Sequence, residues 1–450
     1  MRTARQRPAK ARLARAAGCA AAFALALSAA ACAGGGASSS ASSTASPLPS
    51  VTGPVTISFE EAMSSGTLKT TLATLTANFE KKYPDITVKL EPVDNYGDLY
   101  TDEKAQLQAG DPPTIGQAYE AWAAYYADSD AIVPITNLAG GTPSQLSGFY
   151  QGIQSDLYLP GGKLYMWPFN KSVLVGFYNG SMDASKALPA PTTYSQLAAD
   201  LHTVSGGGVT GVTIYPGGST GPAAGEEWLE VIAAADGTPV FKSNGAPDFT
   251  SAAAVDAMNY LISLKSAGAL AIGGSASDAY PGEDALGNKT GFFDVSSSAG
   301  YYYEQESVNN QFPMGTVALP KGSSTAATMM AGANTVVFAK ATPTEQSAAW
   351  DYMQYLSEPA NSALWAEDTG YLPISDAAYA DMKNFVTKNP YITQEVADLN
   401  SAIVDPPYAW IETCETDLVT AMQSSLDNGA SASASLGTAQ SACQAAKAQS

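Results

Sequence analysis

Carboxylates and aromatic rings recur together at three points early in this chain: Glu60-Glu61, then Asp94-Asn95-Tyr96, then Tyr119-Glu120 with Trp122. Each set closes an apolar stretch that reads as a strand. A carboxylate accepts hydrogen bonds from hydroxyls, and an aromatic face stacks on the apolar face of a sugar or polyol. Two carboxylates across a cleft are also the equipment of a glycoside hydrolase, for which Glu60 and Glu120 would be the pair. A fourth cluster, "WPFNKS", sets Asn170, Lys171 and Ser172 at the threshold of the apolar run from Val173 to Tyr178. Either a hairpin has a wet end there, or the chain crosses between two lobes and lines a cleft.

Other chemistry fails on context. "GGSTG", Gly217 to Gly221, has the pattern of a nucleophile elbow around Ser219, but Pro216 and Pro222 flank it and no His follows it. The elbow needs a strand before it, a helix after it and a later His. "GGGVTG", Gly206 to Gly211, lies between a helix and a strand, the reverse of a dinucleotide-binding turn. His202 is the only His and has no partner for a metal. Asp94, Asp98 and Asp102 lack the spacing and central Gly of an EF-hand.

The elements that must position the strand-end residues follow from periodicity. "VTISFEE" and "DITVKLEPV" read as strands, with Leu68, Leu72, Leu75 and Phe79 on one face of an intervening helix. A helix near Leu99–Ala109 leads to the strand in "PPTIGQAYEAW". This β-α-β-α-β order predicts a parallel sheet with right-handed crossovers, and such sheets bind ligands beyond the carboxyl ends of their strands. Farther on, "GVTIYP", "TGFFDV" and "NTVVFA" read as strands, and "YSQLAADLHTV", "SAAAVDAMNYLISLKSAG", "PTEQSAAWDYMQYLS" and the Ala-rich C-terminus as helices. The predicted class is α/β, and the length calls for two lobes.

The first 31 residues read as an export signal: Arg2, Arg5, Arg7, Lys10, Arg12 and Arg15, then an apolar run from Cys19 to Leu27. "LSAAAC" resembles a lipobox ending at Cys32, which would become the lipidated first residue; ordinary cleavage near Ala31 is the alternative. Residues 32–53 have the Ser- and Gly-rich composition of a flexible tether. The expected location is the outer face of the cytoplasmic membrane, held by lipid alone. Six of the 22 basic residues lie in the signal, leaving 16 lysines, no arginine and 42 acidic residues, a formal charge of −26. That balance is unsuited to binding nucleic acid. Cys414 and Cys443 remain after the signal, and an oxidising compartment predicts a disulfide between them; two free buried thiols are the alternative.

Three stretches, "PPTIGQAYEAW", "PFNKSVLVGFYN" and "EPANSALWAEDTGYLPISDAAYADMK", carry a resemblance that runs from about Val55 to Val419. The chain resembles the extracellular solute-binding proteins of carbohydrate ABC importers, the family that includes maltose-binding protein, and within it the glycerol-3-phosphate-binding branch. The resemblance implies two lobes, each a mostly parallel sheet flanked by helices, with ligand trapped in the cleft. Residues 54–173 with 332–370 would form the N-lobe, and residues 174–331 with 371–450 the C-lobe. The crossings would fall at Val173–Tyr178, near Met329–Gly332 and near Gly370–Pro373. It also implies ligand contacts at Tyr96, Glu120, Ser172, Trp228, Ser296 or Ser297, Gly332 and Tyr371; Glu60, Glu61, Trp122, Asn170 and Lys171 are further candidates from the strand ends and the "WPFNKS" threshold themselves. The expected role is a monomeric binding component that delivers a sugar or polyol to a permease, needs no cofactor or metal and catalyses nothing. A sensor subunit for a signalling receptor and a secreted glycoside hydrolase are the other readings. The branch's phosphate-clamping Arg is absent from the matching "YAWIETCETDL", and Glu60-Glu61 replaces an aromatic pair. An uncharged carbohydrate is therefore expected ahead of glycerol 3-phosphate or a glycerophosphodiester, with Lys171 read as an exposed side chain able to lend one positive charge.

Overall fold

The computed structural model describes residues 48–450 except 187, 189, 218–223, 275–279 and 323–327. The expected signal, Cys32, all but the last six residues of the tether and the centre of "GGSTG" lie outside the described residues. Thirteen strands are described. They are β1 (Val55–Glu61), β2 (Ile86–Pro92), β3 (Ile115–Ala118), a small hairpin β4 (Tyr158–Leu159) and β5 (Lys163–Leu164), β6 (Trp167–Pro168), β7 (Ser172–Asn179), β8 (Thr210–Ile214), β9 (Leu270–Ile272), β10 (Gly291–Ser297), β11 (Met314–Ala318), β12 (Met330–Ala331) and β13 (Asn334–Val337).

The first sheet has the order β2-β1-β3-β13-β6. β1 pairs parallel with both β2 and β3, through crossover helices Gly66–Lys82 and Tyr96–Ala109. Alternation drives β1, whose Ile57 and Phe59 are fully buried, while Leu72, Leu75 and Phe79 form the buried stripe of the first helix. The Asn95 side chain caps the second helix by accepting from Asp98 N at 2.9 Å. β13 and β6 join antiparallel, so the sheet is mixed. The second sheet runs β11-β7-β10-β8-β9, also mixed, with β12 on the first residues of β7. Helices Ala224–Ala235, Ala252–Ser266, Ile411–Leu426 and Ala432–Gln449 pack beside it. Cys414 and Cys443 form a disulfide joining the last two.

The sheets are linked where β6 ends and β7 begins. β7 belongs to the second sheet throughout, so the first passage is Phe169–Lys171, just ahead of the expected Val173–Tyr178. The second is Gly332-Ala333, between β12 and β13. Gly332 has φ +87°, and a Cβ there would sit 1.8 Å from the Asn170 carbonyl oxygen; only glycine permits that approach. Leu372 N donates to Lys171 O at 2.8 Å, so the Gly370–Pro373 segment does meet the passages. It does not leave the first lobe, because buried Leu372 and Ile374 hold it there: Ser375 pairs with Phe149, and Tyr150 N donates to Ile374 O. The chain moves on only after helix Lys383–Lys388, and the next helix, Ile392–Asp398, packs on β7.

Candidate functional site

The passage between sheets is built on a buried lysine. Lys171 is 1 % exposed, against the expectation of an exposed side chain, because it follows the buried Phe169 and Asn170 into the seam between the lobes. Its Nζ lies 2.5 Å from Asp156 Oδ2 and 3.6 Å from Glu120 Oε1, and donates to Gly332 O at 3.2 Å. Asn334 Nδ2 donates to the same two carboxyls, at 2.9 Å and 3.2 Å. Burial and the neighbouring Asp156 push Glu120 well above the usual carboxylate range. Burial also acts on Asp156, but the Lys171 ammonium and hydrogen bonds from Glu120, Lys171 and Asn334 outweigh it and hold Asp156 low. The pair thus keeps one proton on Glu120 and one charge on Asp156, matched by Lys171. Glu120, expected to accept ligand hydroxyls, is bonded within the protein, and Gly332 serves the crossing.

Tyrosines stand beside this network. Asn170 Nδ2 donates to the Tyr96 hydroxyl at 2.6 Å, and its Oδ1 accepts from Gln117 Nε2 at 3.0 Å. The Tyr96 and Tyr371 hydroxyls are 3.3 Å apart. Tyr119 lies against Tyr96 with ring centroids 5.2 Å apart, and Tyr371 stacks on Trp365 at 5.8 Å. The fold thereby brings together Tyr96, Tyr119, Asn170 and Tyr371, an aromatic group with hydroxyls next to the passage.

The other sequence candidates disperse. Trp228 is fully buried, packed edge-on to Tyr260 at 6.2 Å, because its helix is covered on nearly every side; it offers no open face for stacking. Ser297 Oγ donates to Ser172 Oγ at 2.8 Å and Ser298 Oγ accepts from Val173 N at 3.3 Å, so these hydroxyls tie β7 to the end of β10, where Ser296 is also buried. Glu60 accepts from Gln106 Nε2 at 2.7 Å and Glu61 accepts from Met63 N. Burial raises both to about 7. Glu60 and Glu120 are held in separate contacts rather than presented as an acid–base pair. Trp122 stacks on Tyr100 at 4.5 Å, and its Nε1 donates to Glu412 Oε2 at 2.8 Å, joining the first lobe directly to helix Ile411–Leu426.

That contact opens onto a group that periodicity did not reveal. Glu226, Glu227 and Glu230 on helix Ala224–Ala235 meet Asp405, Glu412 and Glu415. Burial first, then repulsion among the carboxyls, pushes Glu227 up to about 8 and Asp405 to about 7, and Glu230 and Glu415 well above the usual range; Glu226 goes up to about 8 by burial, partly offset by its hydrogen bond with Glu230. The acids of "YAWIETCETDL" were visible in the sequence, but their meeting with "GEEWLE" was not. Tyr280 is 63 % exposed. Among the described residues, no group of three His, Cys, Asp or Glu is placed to hold a metal, and no helix is long and apolar enough to cross a membrane.

Two mixed sheets linked by short passages, with tyrosines and acceptors at the link, define a two-lobed solute-binding fold. Residues 74–394 match the bacterial extracellular solute-binding proteins, and the chain belongs to that family. The sn-glycerol-3-phosphate-binding periplasmic protein UgpB of Pectobacterium atrosepticum is 27% identical over 358 residues, 72% of this chain and 75% of its own. Among solved structures, UgpB from Mycobacterium tuberculosis in complex with glycerophosphocholine superposes with a TM-score of 0.77 at 20% identity, covering 88% of this chain and 99% of that one. The GacH receptor of Streptomyces glaucescens, solved unliganded and with acarbose, gives 0.76 at 18% identity, covering 87% and 98%.

Two outcomes follow for stability. Lys171→Met leaves Asp156 buried without its cation and should cost about 3–5 kcal/mol in urea unfolding, with part recovered in Lys171→Met/Asp156→Asn. The raised carboxyls give a pH dependence of definite sign. Their folded values exceed the unfolded value of 4.5 for Glu, so the native state binds more protons between about pH 5 and 8 and loses stability as pH rises through that window. The Tm should be higher at pH 5.5 than at pH 8, and Glu226→Gln/Glu230→Gln should flatten the difference.

Proposed function

We propose that this chain is the lipid-anchored binding component of an ABC-type carbohydrate importer, closing its lobes on a sugar or polyol and presenting it to a membrane permease without chemistry of its own. The observation that carries this reading is the group Tyr96, Tyr119, Asn170 and Tyr371 beside the passage. There, ring faces and hydroxyls can contact a polyhydroxylated ligand while the lobes rotate about short links. Of the residues expected from the resemblance, Tyr96, Asn170 and Tyr371 remain our ligand contacts, with Tyr119 and Tyr280 added.

A phosphate ester is the second reading, favoured by the UgpB relatives. Charge argues against it. No arginine follows the signal, Lys171 is engaged by Asp156, and the acidic group would repel a phosphate whose desolvation needs paired donors. Calorimetry with neutral mono- and oligosaccharides and with glycerol 3-phosphate tests the choice. A neutral sugar should bind at least tenfold more tightly; tighter binding of the phosphate would replace this reading by the second.

The anchor rests on "LSAAAC" and the tether composition. Cys32→Ser should release the protein into the medium or stop its processing, as fractionation and immunoblotting would show. A mutant that is fully processed and still membrane-bound would remove the lipid anchor.

A further inference from the structure

An amine and a carboxyl held together away from water can condense, and Lys171 and Asp156 are held that way. Lys171, Asp156, Glu120 and Asn334 are all buried, as are Ile153 and Leu157 beside Asp156 and Met166 and Trp167 ahead of Lys171. Lys171 Nζ lies 2.5 Å from Asp156 Oδ2, so the carboxyl carbon Cγ is no more than one carbon–oxygen bond farther away. Reacting atoms fixed at such a distance gain most of what position can give to a reaction. The surrounding groups are those a condensation uses. Asn334 Nδ2 donates to Asp156 Oδ2 at 2.9 Å, where it can stabilise an oxygen that gains negative charge. Glu120 keeps its proton and donates it in a hydrogen bond to Asp156, while its Oε1 lies 3.6 Å from Nζ. It therefore touches both the amine that must lose protons and the carboxyl that must gain them.

We propose that Lys171 and Asp156 become joined by an amide bond between Nζ and Cγ, a cross-link the folded chain makes by itself. The ion pair is the reactant. Glu120 passes its proton to Asp156 and takes one from the ammonium, which leaves a neutral amine beside a neutral carboxyl. Nζ then attacks Cγ, and a nitrogen–carbon bond forms. One proton moves from that nitrogen through Glu120 to the Asp156 hydroxyl, the carbon–oxygen bond breaks, and water departs. Ammonium plus carboxylate thus become amide plus water, with nothing oxidised or reduced and Glu120 returned to its starting state. Burial favours the product, because two desolvated charges are replaced by a neutral group. The amide N–H can keep the bond that Nζ now makes to Gly332 O at 3.2 Å. The link would fasten the passage Phe169–Lys171 to helix Gln151–Asp156 of the first lobe, and it is independent of which solute is captured.

The test is mass spectrometry of the mature protein, unfolded in urea, reduced and digested with trypsin. Trypsin cuts after lysine, and Lys104, Lys163, Lys171 and Lys186 are the successive sites in this stretch. With the bond made, Lys171 is no longer cut. Residues 105–163 should then appear joined to residues 164–186, one water lighter than the two peptides together, with fragments placing the link at Asp156 and Lys171. Asp156→Ala should return residues 164–171 as a separate peptide. Glu120→Gln still donates to Asp156 but cannot relay a proton, and should lower the linked fraction at least tenfold. Recovery of 164–171 from the unsubstituted protein with no linked form overturns the cross-link. A link at Glu120, or one to Asn334 with loss of ammonia, overturns the assignment to Asp156. An undiminished link in Glu120→Gln overturns Glu120 as the proton carrier.

Discussion

The structure turns on one ammonium group that has nowhere to go. Lys171 sits in the three-residue passage between the sheets and is 1 % exposed, so its charge must be met inside the protein. Asp156 meets it, Glu120 and Asn334 complete the network, and these partners come from three different elements of the first lobe. A buried pair contributes little net stability, but breaking it is expensive, so the arrangement resists alternatives. With Lys171 fixed, its neighbour Asn170 is fixed too and aims Tyr96 through a 2.6 Å hydrogen bond. The Gly332 backbone must come close enough to receive the Lys171 Nζ, and its positive φ and missing side chain allow that. The passages between the sheets and the tyrosine group thus share one electrostatic origin.

Negative charge is handled in the opposite way. Chain regions far apart in sequence bring six carboxyls together beside the Trp122–Glu412 contact, with almost no basic residue to balance them. Burial first and mutual repulsion after it raise these carboxyls, with only Lys104 drawing Glu412 down, so they favour holding protons. Neutral carboxyls and tyrosine hydroxyls both donate and accept hydrogen bonds. Trp122, which donates to Glu412 across the lobes, ties this group to the contact between them.

How far each residue was legible depended on whether its role was local. Tyr96, Tyr119 and Glu120 stood at strand ends because strand periodicity and β-α-β order place them there, and β1, β2 and β3 do pair in parallel. Trp228 looked like a stacking platform by resemblance, yet a helix covered on nearly every side turns it into core. Lys171 looked like surface because lysines usually are, and only the partners that β13 and the helix ending at Asp156 deliver make its burial tolerable. The segment after Gly370 looked like a third crossing, but two buried apolar side chains, Leu372 and Ile374, keep it with the first lobe.

The sequence by itself determined the α/β class, the parallel β1-β2-β3 core, the helices between them and the family to which the chain belongs. The class, core and helices follow from patterns repeating over two to four residues, which a single segment can express, and the family from the longer stretches that carry the resemblance. It also determined the sign of the charge, because composition needs no fold. Only the tertiary structure decided where that charge would be neutralised. The pairing of Lys171 with Asp156 and Glu120, and the meeting of Glu226 with Asp405 and Glu412, join residues separated by tens to hundreds of positions. Ionisation is set by burial and by neighbours within a few ångströms, and neither exists until the chain has folded.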